Sequence, residues 1–204
     1  RINVKLKSGQ ETEINAPGPK VTHAQFEQLL SQIRRTTKDD IVIVAGSVPK
    51  SIPSDAYAQI AQITEKTGAQ LVVDAEKDLV ETVLPYRPLF IKPNKDELEV
   101  MFNTTVKSDE DVIKYGKEIL KKGAQSVIIS LGGDGAIYVD QHQSIKAVNP
   151  QGHVVNTVGS GDSTVAGMVA GLSMGLNVDE AFQQAVASGT ATAFSEDLAT
   201  RDAI

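Results

Sequence analysis

The stretch Asn156-Thr157-Val158-Gly159-Ser160-Gly161-Asp162-Ser163-Thr164 is a glycine-rich turn that runs directly into a helical pattern. In residues 164–175, apolar side chains recur every three or four positions and predict an amphipathic helix beginning near Gly161, with Gly167 and Gly171 allowing close packing. The first N–H groups of such a helix have no partner within it and would point toward the glycine turn. This combination predicts a pocket suited to a phosphoryl group.

Asp162, at the junction of turn and helix, has two interpretations. Carboxylates at a helix start are common caps, and Ser163 or Thr164 could share that role. Alternatively, Asp162 is the reactive carboxylate of an active site built at this turn. A Gly-x-Gly-Asp turn is a weak signal alone, so the rest of the chain has to decide between them.

The chain before this turn alternates strand and helix patterns. The continuous apolar run at 41–45 predicts a strand buried on both faces. Further strands are predicted at 71–74, 89–92 and 126–131, and helices at 22–33, 54–67, 76–83, 95–102 and 108–122. Such repetition is typical of a parallel sheet covered by helices on both sides.

The two ends of the chain have different patterns. Residues 2–7 and 10–14 alternate apolar and polar side chains and predict an antiparallel hairpin. Residues 136–139 and 144–148 predict an antiparallel extension at the sheet edge, and a last helix is predicted at 178–194. The hairpin therefore stands apart from the α/β pattern that follows it.

Composition excludes several classes of function. The chain has 204 residues, 41% of them hydrophobic and 23% charged, which is typical of a globular protein. Its formal charge of −6 argues against nucleic acid or an anionic membrane surface as a partner. Cysteine is absent, which excludes disulfides, thiolate metal sites and a cysteine nucleophile, and fits a cytoplasmic protein. No apolar run reaches membrane-spanning length.

Polar or glycine-rich residues follow the predicted strands. Strand 41–45 leads into Gly46-Ser47, strand 71–74 ends in Asp74, and strand 126–131 runs into Gly132-Gly133-Asp134-Gly135. Ordinary turn chemistry would explain any one of these. Because ligands of open α/β sheets bind at the carboxyl ends of strands, the combination predicts a ligand site there.

Two further motifs each have a functional and a purely structural interpretation. Asn94 and Glu97 place an amide and a carboxylate on one helix face, where they suit a hydrated Mg²⁺ or form a capping box. The turn Ser130-Leu131-Gly132-Gly133-Asp134-Gly135 allows close approach of a nucleotide or is a plain tight turn. It is neither a P-loop nor a dinucleotide fingerprint.

The order and spacing of these motifs resemble those of the ribokinase-like carbohydrate kinases of the phosphofructokinase B family. The turn 156–163 is similar to the family's signature, residues 92–97 to its N-x-x-E motif, 130–135 to its nucleotide-binding S-L-G-x-x-G, and 45–49 to its substrate-side G-S-L-P. The resemblance covers essentially the whole chain, and the four motifs together are much more specific than any one of them. Asn156 departs from the family pattern, which usually has Asp there.

The resemblance implies a ribokinase-like three-layer α/β/α sandwich with a mostly parallel sheet. Residues 1–18 would be the remnant of a small β-sheet lid, and residues 19–204 the α/β core. The N-terminal third of the family domain, which carries most of the sugar-binding groups, is expected to be missing, as are the last residues after Ile204. Activity would then belong to the full-length protein, because the fragment alone would lack most of its sugar site.

The resemblance also implies roles for individual residues. Asp162 would be the catalytic base and would contact the substrate, and the N–H groups of Gly159, Ser160 and Gly161 would form an anion hole. ATP would be bound by Asn94, Ser130, Leu131, Gly132, Gly133, Asp134, Gly135 and Gly161. Asn94 and Glu97 would hold Mg²⁺ largely through water, and a monovalent cation such as K⁺ is a further expectation. A phosphorylated sugar needs cationic partners, for which Arg1 and Lys5 are candidates together with Ser47.

The implied function is ATP-dependent phosphorylation of a sugar phosphate. The opening residues resemble those family members that convert fructose 1-phosphate to fructose 1,6-bisphosphate, with kinases of tagatose 6-phosphate as the alternative. A kinase for a neutral sugar or nucleoside would not need Arg1, and a non-catalytic nucleotide-binding regulator would be expected to lose Asp162 or the glycine turn, both of which are intact. The expected partners are the phosphosugar, ATP and a second subunit joined through the β lid, without nucleic acid or membrane.

Overall fold

The computed structural model describes residues 3–8, 10–15 and 18–204, and its first described side chain is that of Ile14. The strands are β1 (Asn3–Ser8), β2 (Gln10–Asn15), β3 (Ile41–Ala45), β4 (Gln70–Asp74), β5 (Phe90–Ile91), β6 (Ser126–Ser130), β7 (Ala136–Asp140) and β8 (Ser144–Ala147). The helices are α1 (His23–Ile33), α2 (Ala56–Thr67), α3 (Lys77–Val83), α4 (Lys95–Phe102), α5 (Asp109–Lys122), α6 (Ser160–Ser173) and α7 (Val178–Ala193). The predicted elements are thus confirmed, with bounds that shift by a few residues.

The main sheet has six strands in the order β3-β4-β5-β6-β7-β8. Its first four strands are parallel, and β7 and β8 extend it in antiparallel fashion, as predicted. Strands β1 and β2 form a separate two-stranded antiparallel sheet in which Asn3 lies opposite Asn15. The hairpin and the α/β core are therefore built on two separate sheets.

Successive side chains of the central strands point to opposite faces and are buried on both. On one face, Val73, Ile129 and their neighbours pack under helices α1 to α5. On the other face, Val72, Ile128 and their neighbours pack under α6 and α7. The result is the three-layer arrangement that the alternating pattern predicts.

The prediction that strand 41–45 is buried on both faces is wrong. Only Val44 in β3 is buried, and the side chain of Ile43 is 44% exposed. Strand β3 lies at the edge of the described sheet and pairs only with β4, so it has less cover than the central strands. Leu29, which fits the apolar stripe of α1, is likewise exposed.

Small residues bring α6 and α7 close together. A Cβ atom built on Gly167 would lie 2.8 Å from Ala185 Cα, and one on Gly171 would lie 2.8 Å from Ala181 Cα. This confirms the predicted close packing of the two helices at Gly167 and Gly171. Among the described residues, no helix is both long and apolar enough to cross a membrane.

Candidate active site

The glycine turn leads into α6 one residue earlier than predicted, at Ser160. Gly159 is the cap residue and has the left-handed φ of 83°, which side chains rarely adopt. A Cβ atom there would also lie 2.5 Å from the Leu198 side chain. Both the backbone conformation and the available space therefore require glycine, and the Ser160 N–H closes the turn by donating to Thr157 O at 3.3 Å.

Asp162 does not cap α6. The helix has no side-chain cap, because the Thr164 hydroxyl donates to Ser160 O at 2.9 Å and the Ser163 hydroxyl is paired with Thr192 at 2.8 Å. The capping interpretation is therefore wrong for all three residues. Asp162 is exposed within the first turn of the helix, and its carboxylate contributes to raising the pKa of Asp74.

Asn156, which departs from the family pattern, is a structural tie in the same loop. Its Oδ1 accepts from Val158 N at 3.2 Å, and its Nδ2 donates to Glu196 O at 3.2 Å. A carboxylate could accept the first bond but could not donate the second. The amide therefore connects the glycine turn to the segment after α7.

A buried ion pair lies beside the turn. Lys92, which follows β5, has a side chain only 7% exposed, and its Nζ is 3.2 Å from Asp74 Oδ2 at the end of β4. The same Nζ would be 3.3 Å from a Cβ atom built on Gly161. Burial raises the pKa of Asp74, the Lys92 ammonium opposes this rise, and Asp162 adds to it.

This pair gives Asp74 a role beyond ordinary turn chemistry, which was the simpler of its two interpretations. The strand pattern predicted no role for Lys92 by itself. A usable signal was nevertheless present, since a lysine directly after a buried strand, at the polar edge of a parallel sheet, needs a carboxylate partner. Asp74, at the end of the neighbouring strand β4, supplies that carboxylate.

Asn94 and Glu97 form the capping box that was one of their two interpretations. Asn94 Oδ1 accepts from Glu97 N, and Glu97 Oε2 accepts from Asn94 N, both at 2.8 Å. Burial raises the pKa of Glu97, the Asn94 N–H and the Lys92 ammonium lower it, and the Asp74 and Glu76 carboxylates raise it. The cap uses one carboxylate oxygen, which is compatible with a second role for the other.

The side chains near this cap suit a cation that keeps most of its bound water better than a cation enclosed by protein ligands. Within residues 18–204, where the structure describes side chains, no group of three or more His, Asp or Glu side chains could hold a metal ion. Mg²⁺ commonly keeps several waters and binds one or two carboxylates plus substrate phosphates. The Glu97 carboxylate fits that mode, because burial and the nearby Asp74 carboxylate disfavour its charged form and a cation would offset this.

A cavity of about 530 Å³ lies between the motifs. Its lining includes the predicted residues Asn94, Ser130, Leu131, Gly132, Gly133, Gly135, Ser160 and Gly161. Asp134, Gly159, Asp162 and Glu97 were also predicted for the site, but they do not line this cavity. Ser130 N donates to Pro93 O at 3.1 Å, which joins the first two motifs directly.

Asn149 is a lining residue that the motifs did not predict. Its Nδ2 donates to Gly132 O at 2.9 Å and to Gly133 O at 3.4 Å, while its Oδ1 accepts from the Thr190 hydroxyl at 3.1 Å. It thereby ties the glycine loop of one wall to α7 in the opposite wall. Gly135 closes that loop at φ 90°, where a Cβ atom would collide with the Ala147 carbonyl oxygen.

Of the predicted substrate residues, Ser47 lies away from this cavity. Ser47 lines a separate groove of about 390 Å³ together with Lys50 and Glu76. Arg1 lies outside the described residues, and Lys5 belongs to β1 but its side chain is outside the described part.

The turn before Ser47 is tied to the sheet. Gly46 N donates to Asp74 O at 2.9 Å, and the Tyr57 hydroxyl donates to Gly46 O at 3.0 Å. Burial, with a contribution from Asp74, raises the pKa of Tyr57 to about 12. Ser47 is therefore held at the same sheet edge as the ion pair.

The three layers and the glycine turn at the carboxyl ends of the parallel strands define a ribokinase-like α/β protein. Residues 1–202 match the model of the pfkB family carbohydrate kinases. The chain belongs to this family.

Individual relatives agree with this assignment. 1-Phosphofructokinase from Bacillus subtilis (strain 168) is 44% identical over 202 residues, which are 99% of this chain and 67% of that protein. D-tagatose-1-phosphate kinase from Bacillus licheniformis is 36% identical over 199 residues, 97% of this chain and 66% of that protein. The crystal structure of a candidate phosphofructokinase from Staphylococcus aureus matches with a TM-score of 0.90 and 80% identity, over 100% of this chain and 66% of that one. The chain thus spans about two thirds of the length of these relatives.

Proposed function

We propose that the protein is an ATP-dependent sugar-phosphate kinase that converts fructose 1-phosphate to fructose 1,6-bisphosphate. The observation that carries this proposal is the convergence of two glycine loops and the Asn94 cap around one cavity, with the buried Lys92 ammonium beside Gly161 in its wall. Family membership and the similarity to a 1-phosphofructokinase support it.

The chemistry assigned to the chain is in-line transfer of a phosphoryl group from ATP to a sugar hydroxyl. Asp162 accepts the proton of the attacking hydroxyl, which its exposed position at the start of α6 allows. The N–H groups of Gly159, Ser160 and Gly161 stabilise negative charge on the group in transfer. Lys92, next to Gly161, adds a fixed positive charge at the same end of the cavity.

The nucleotide lies along the cavity wall. Asn94, Gly161 and the loop of Ser130, Leu131, Gly132, Gly133, Asp134 and Gly135 bind it, although Asp134 does so without lining the cavity. Asn94 and Glu97 orient the water shell of Mg²⁺, whose charge neutralises the phosphates when it is bound. A requirement for K⁺ stays a prediction.

The sugar phosphate occupies the side that faces Ser47 and Asp162. Arg1 and Lys5 supply cationic partners for its phosphate, and Arg1 can do so through two parallel hydrogen bonds. We assign residues 1–18 to a β-sheet lid over residues 19–204 and expect a homodimer through that lid in the full-length protein. A cytoplasmic location stays a prediction.

A tagatose phosphate is the second candidate substrate. The similarity to a D-tagatose-1-phosphate kinase favours it, because 97% of this chain is 36% identical to 66% of that protein. Tagatose 6-phosphate, the alternative that the family resemblance implies, is a substrate of the same chemical class, a ketohexose phosphate. A non-catalytic regulator is disfavoured because Asp162 and the glycine turn are intact.

The test is a substrate screen with the purified full-length protein. ADP formation is measured with fructose 1-phosphate, fructose 6-phosphate, tagatose 1-phosphate, tagatose 6-phosphate, ribose and adenosine, and products are identified by ³¹P NMR. We expect the highest kcat/KM with fructose 1-phosphate. Preference for ribose or adenosine would contradict a phosphosugar kinase, and no turnover with any acceptor would favour the regulator.

A further inference from the structure

The ion pair between Asp74 and Lys92 has a role that the proposed reaction does not yet use. We propose that Asp74 is a positioning residue: its carboxylate holds the Lys92 ammonium beside the Gly161 turn, where the ammonium faces the phosphoryl group in transfer. This inference rests on the proposed function, because it assigns the phosphoryl group to that turn.

The first reason is that Lys92 cannot hold this position by itself. A lysine side chain is a long flexible stem with a point charge at its end, and fixing it in one position costs conformational entropy. Burial of an unpaired ammonium is also unfavourable. Asp74, at 3.2 Å, is the salt-bridge partner that fixes and compensates the charge of this 7%-exposed side chain.

The second reason is that Asp74 itself is rigidly held. Its strand pairs in register with β3, where Ala45 lies opposite Asp74, and its carbonyl oxygen accepts from Gly46 N at 2.9 Å. Lys92 N donates to Val73 O at 3.2 Å, so both partners extend from hydrogen-bonded neighbouring strands. The sheet thus determines where the carboxylate lies, and the carboxylate determines where the ammonium lies.

The third reason is the place to which the ammonium is directed. Lys92 Nζ lies next to Gly161, in the first turn of α6, whose N–H groups the proposed function assigns to the phosphoryl group. Asp74 is also close enough to Asp162 for the two carboxylates to interact electrostatically. One ammonium therefore lies against the Asp74 carboxylate and beside the Gly161 backbone, and an ammonium with three donors can serve a phosphate oxygen as well as the carboxylate.

The experiment is a double-mutant cycle in the full-length protein with Asp74→Asn, Lys92→Met and the double variant. Loss of one preorganised charge-stabilising donor costs roughly 10²–10³-fold in kcat, which we expect for Lys92→Met. Asp74→Asn should lower kcat about 10- to 100-fold, because the Asp74 carboxylate acts only by positioning Lys92. The KM for the phosphosugar should stay within about twofold. The double variant should be no slower than Lys92→Met alone.

Matched controls separate this role from general stability. Asp109→Asn removes the carboxylate of another aspartate–lysine pair, the exposed pair with Lys146 at 2.7 Å, and should leave kcat unchanged. Asp74→Glu retains the charge but lengthens the side chain, so it should fold like the wild type and still lose kcat. It replaces Asp74→Asn in the cycle if the latter fails to fold.

Several outcomes would overturn the inference. Multiplicative losses in the double variant would mean that Asp74 acts independently of Lys92. Wild-type kcat in Asp74→Asn, or a loss recovered at high Mg²⁺, would mean that the carboxylate is dispensable or is a metal ligand. An inactive wild-type protein would overturn the proposed function itself, whereas an active wild type with any of these results would overturn only the role of Asp74.

Discussion

The nucleotide side and the sugar side of the proposed site are built in different ways. The nucleotide side is a cavity of about 530 Å³ whose walls are mostly turns and helix starts, including two glycine loops. The sugar side within the described residues is a groove of about 390 Å³ lined by side chains such as Ser47, Lys50 and Glu76. Five glycines line the first side and none lines the second, so backbone groups are more open to a ligand on the first side.

This difference has a physical reason. A phosphate can be bound by backbone N–H groups at a helix start, so the sheet edge and its turns suffice to build the nucleotide side. Selecting one sugar phosphate requires charged and polar side chains at defined distances. We therefore expect variants on the two sides to change different kinetic constants, with Asp162 and Lys92 at the boundary between them.

The largest effect is expected at the boundary, from Asp162→Asn in the full-length protein. The amide keeps the shape of the side chain but cannot accept the proton, and loss of a general base typically costs 10²–10⁴-fold, so kcat should fall by about that factor. Affinity for ATP, measured by calorimetry, should hardly change. A variant within about tenfold of wild-type kcat would remove Asp162 from the reaction.

Arg1→Ala should act on the sugar side alone. A hydrogen bond to a charged group contributes about 1.5–3 kcal/mol, so the KM for the phosphosugar should rise roughly ten- to hundredfold. The KM for ATP, measured in the same assays, should stay nearly constant. If both constants rise together, the arginine acts through folding of the lid, and if neither moves, it is a solvated strand residue.

Asn149→Asp should act on the nucleotide side alone. The carboxylate can still accept from Thr190 but can no longer donate to the carbonyls of Gly132 and Gly133. Two neutral hydrogen bonds at about 0.5–1.5 kcal/mol each predict a rise in the KM for ATP of roughly tenfold or somewhat more. An equal rise in the KM for the phosphosugar would show that the two sides are not independent.

The smallest effect is expected from Tyr57→Phe, which removes the hydrogen bond to Gly46 O. The free energy of unfolding should fall by about 1 kcal/mol at neutral pH, and the KM for the phosphosugar should rise a few-fold because Ser47 follows Gly46. Tyr138→Phe is the matched control, since its hydroxyl bonds Asp140 on the other side of the sheet. It should lower stability without changing that KM.

The raised pKa of Tyr57 also predicts a pH effect. Folding raises this pKa from 10.0 to about 12, so the neutral Tyr57 hydroxyl stabilises the folded state. This contribution to the free energy of unfolding is fully present below pH 10 and is lost as the pH rises toward 12. Denaturant unfolding between pH 9 and 12 should therefore show a shallower loss of stability in Tyr57→Phe than in the wild type. An unchanged slope would mean that the hydroxyl is solvated.

The sequence by itself determined the layers of the fold and the positions of its glycine turns. Both depend on local rules: the side-chain periodicity of strands and helices, and the ability of Gly159 and Gly135 to adopt positive φ. The burial of β3 depends on which strands flank it, which an apolar run does not encode, and within the described sheet only β4 does so.

Only the tertiary structure decided which polar groups meet. Asp74 and Lys92 are 18 positions apart, counted as 92 minus 74, and Asn149 lies between two walls that belong to distant segments. The strand order brings these groups together, and no local pattern encodes a distance between side chains on different strands. On an exposed helix, a lysine such as Lys92 would be solvated. Here it is a buried charge, because the sheet places the Asp74 carboxylate beside it and the start of α6, at Gly161, next to its ammonium.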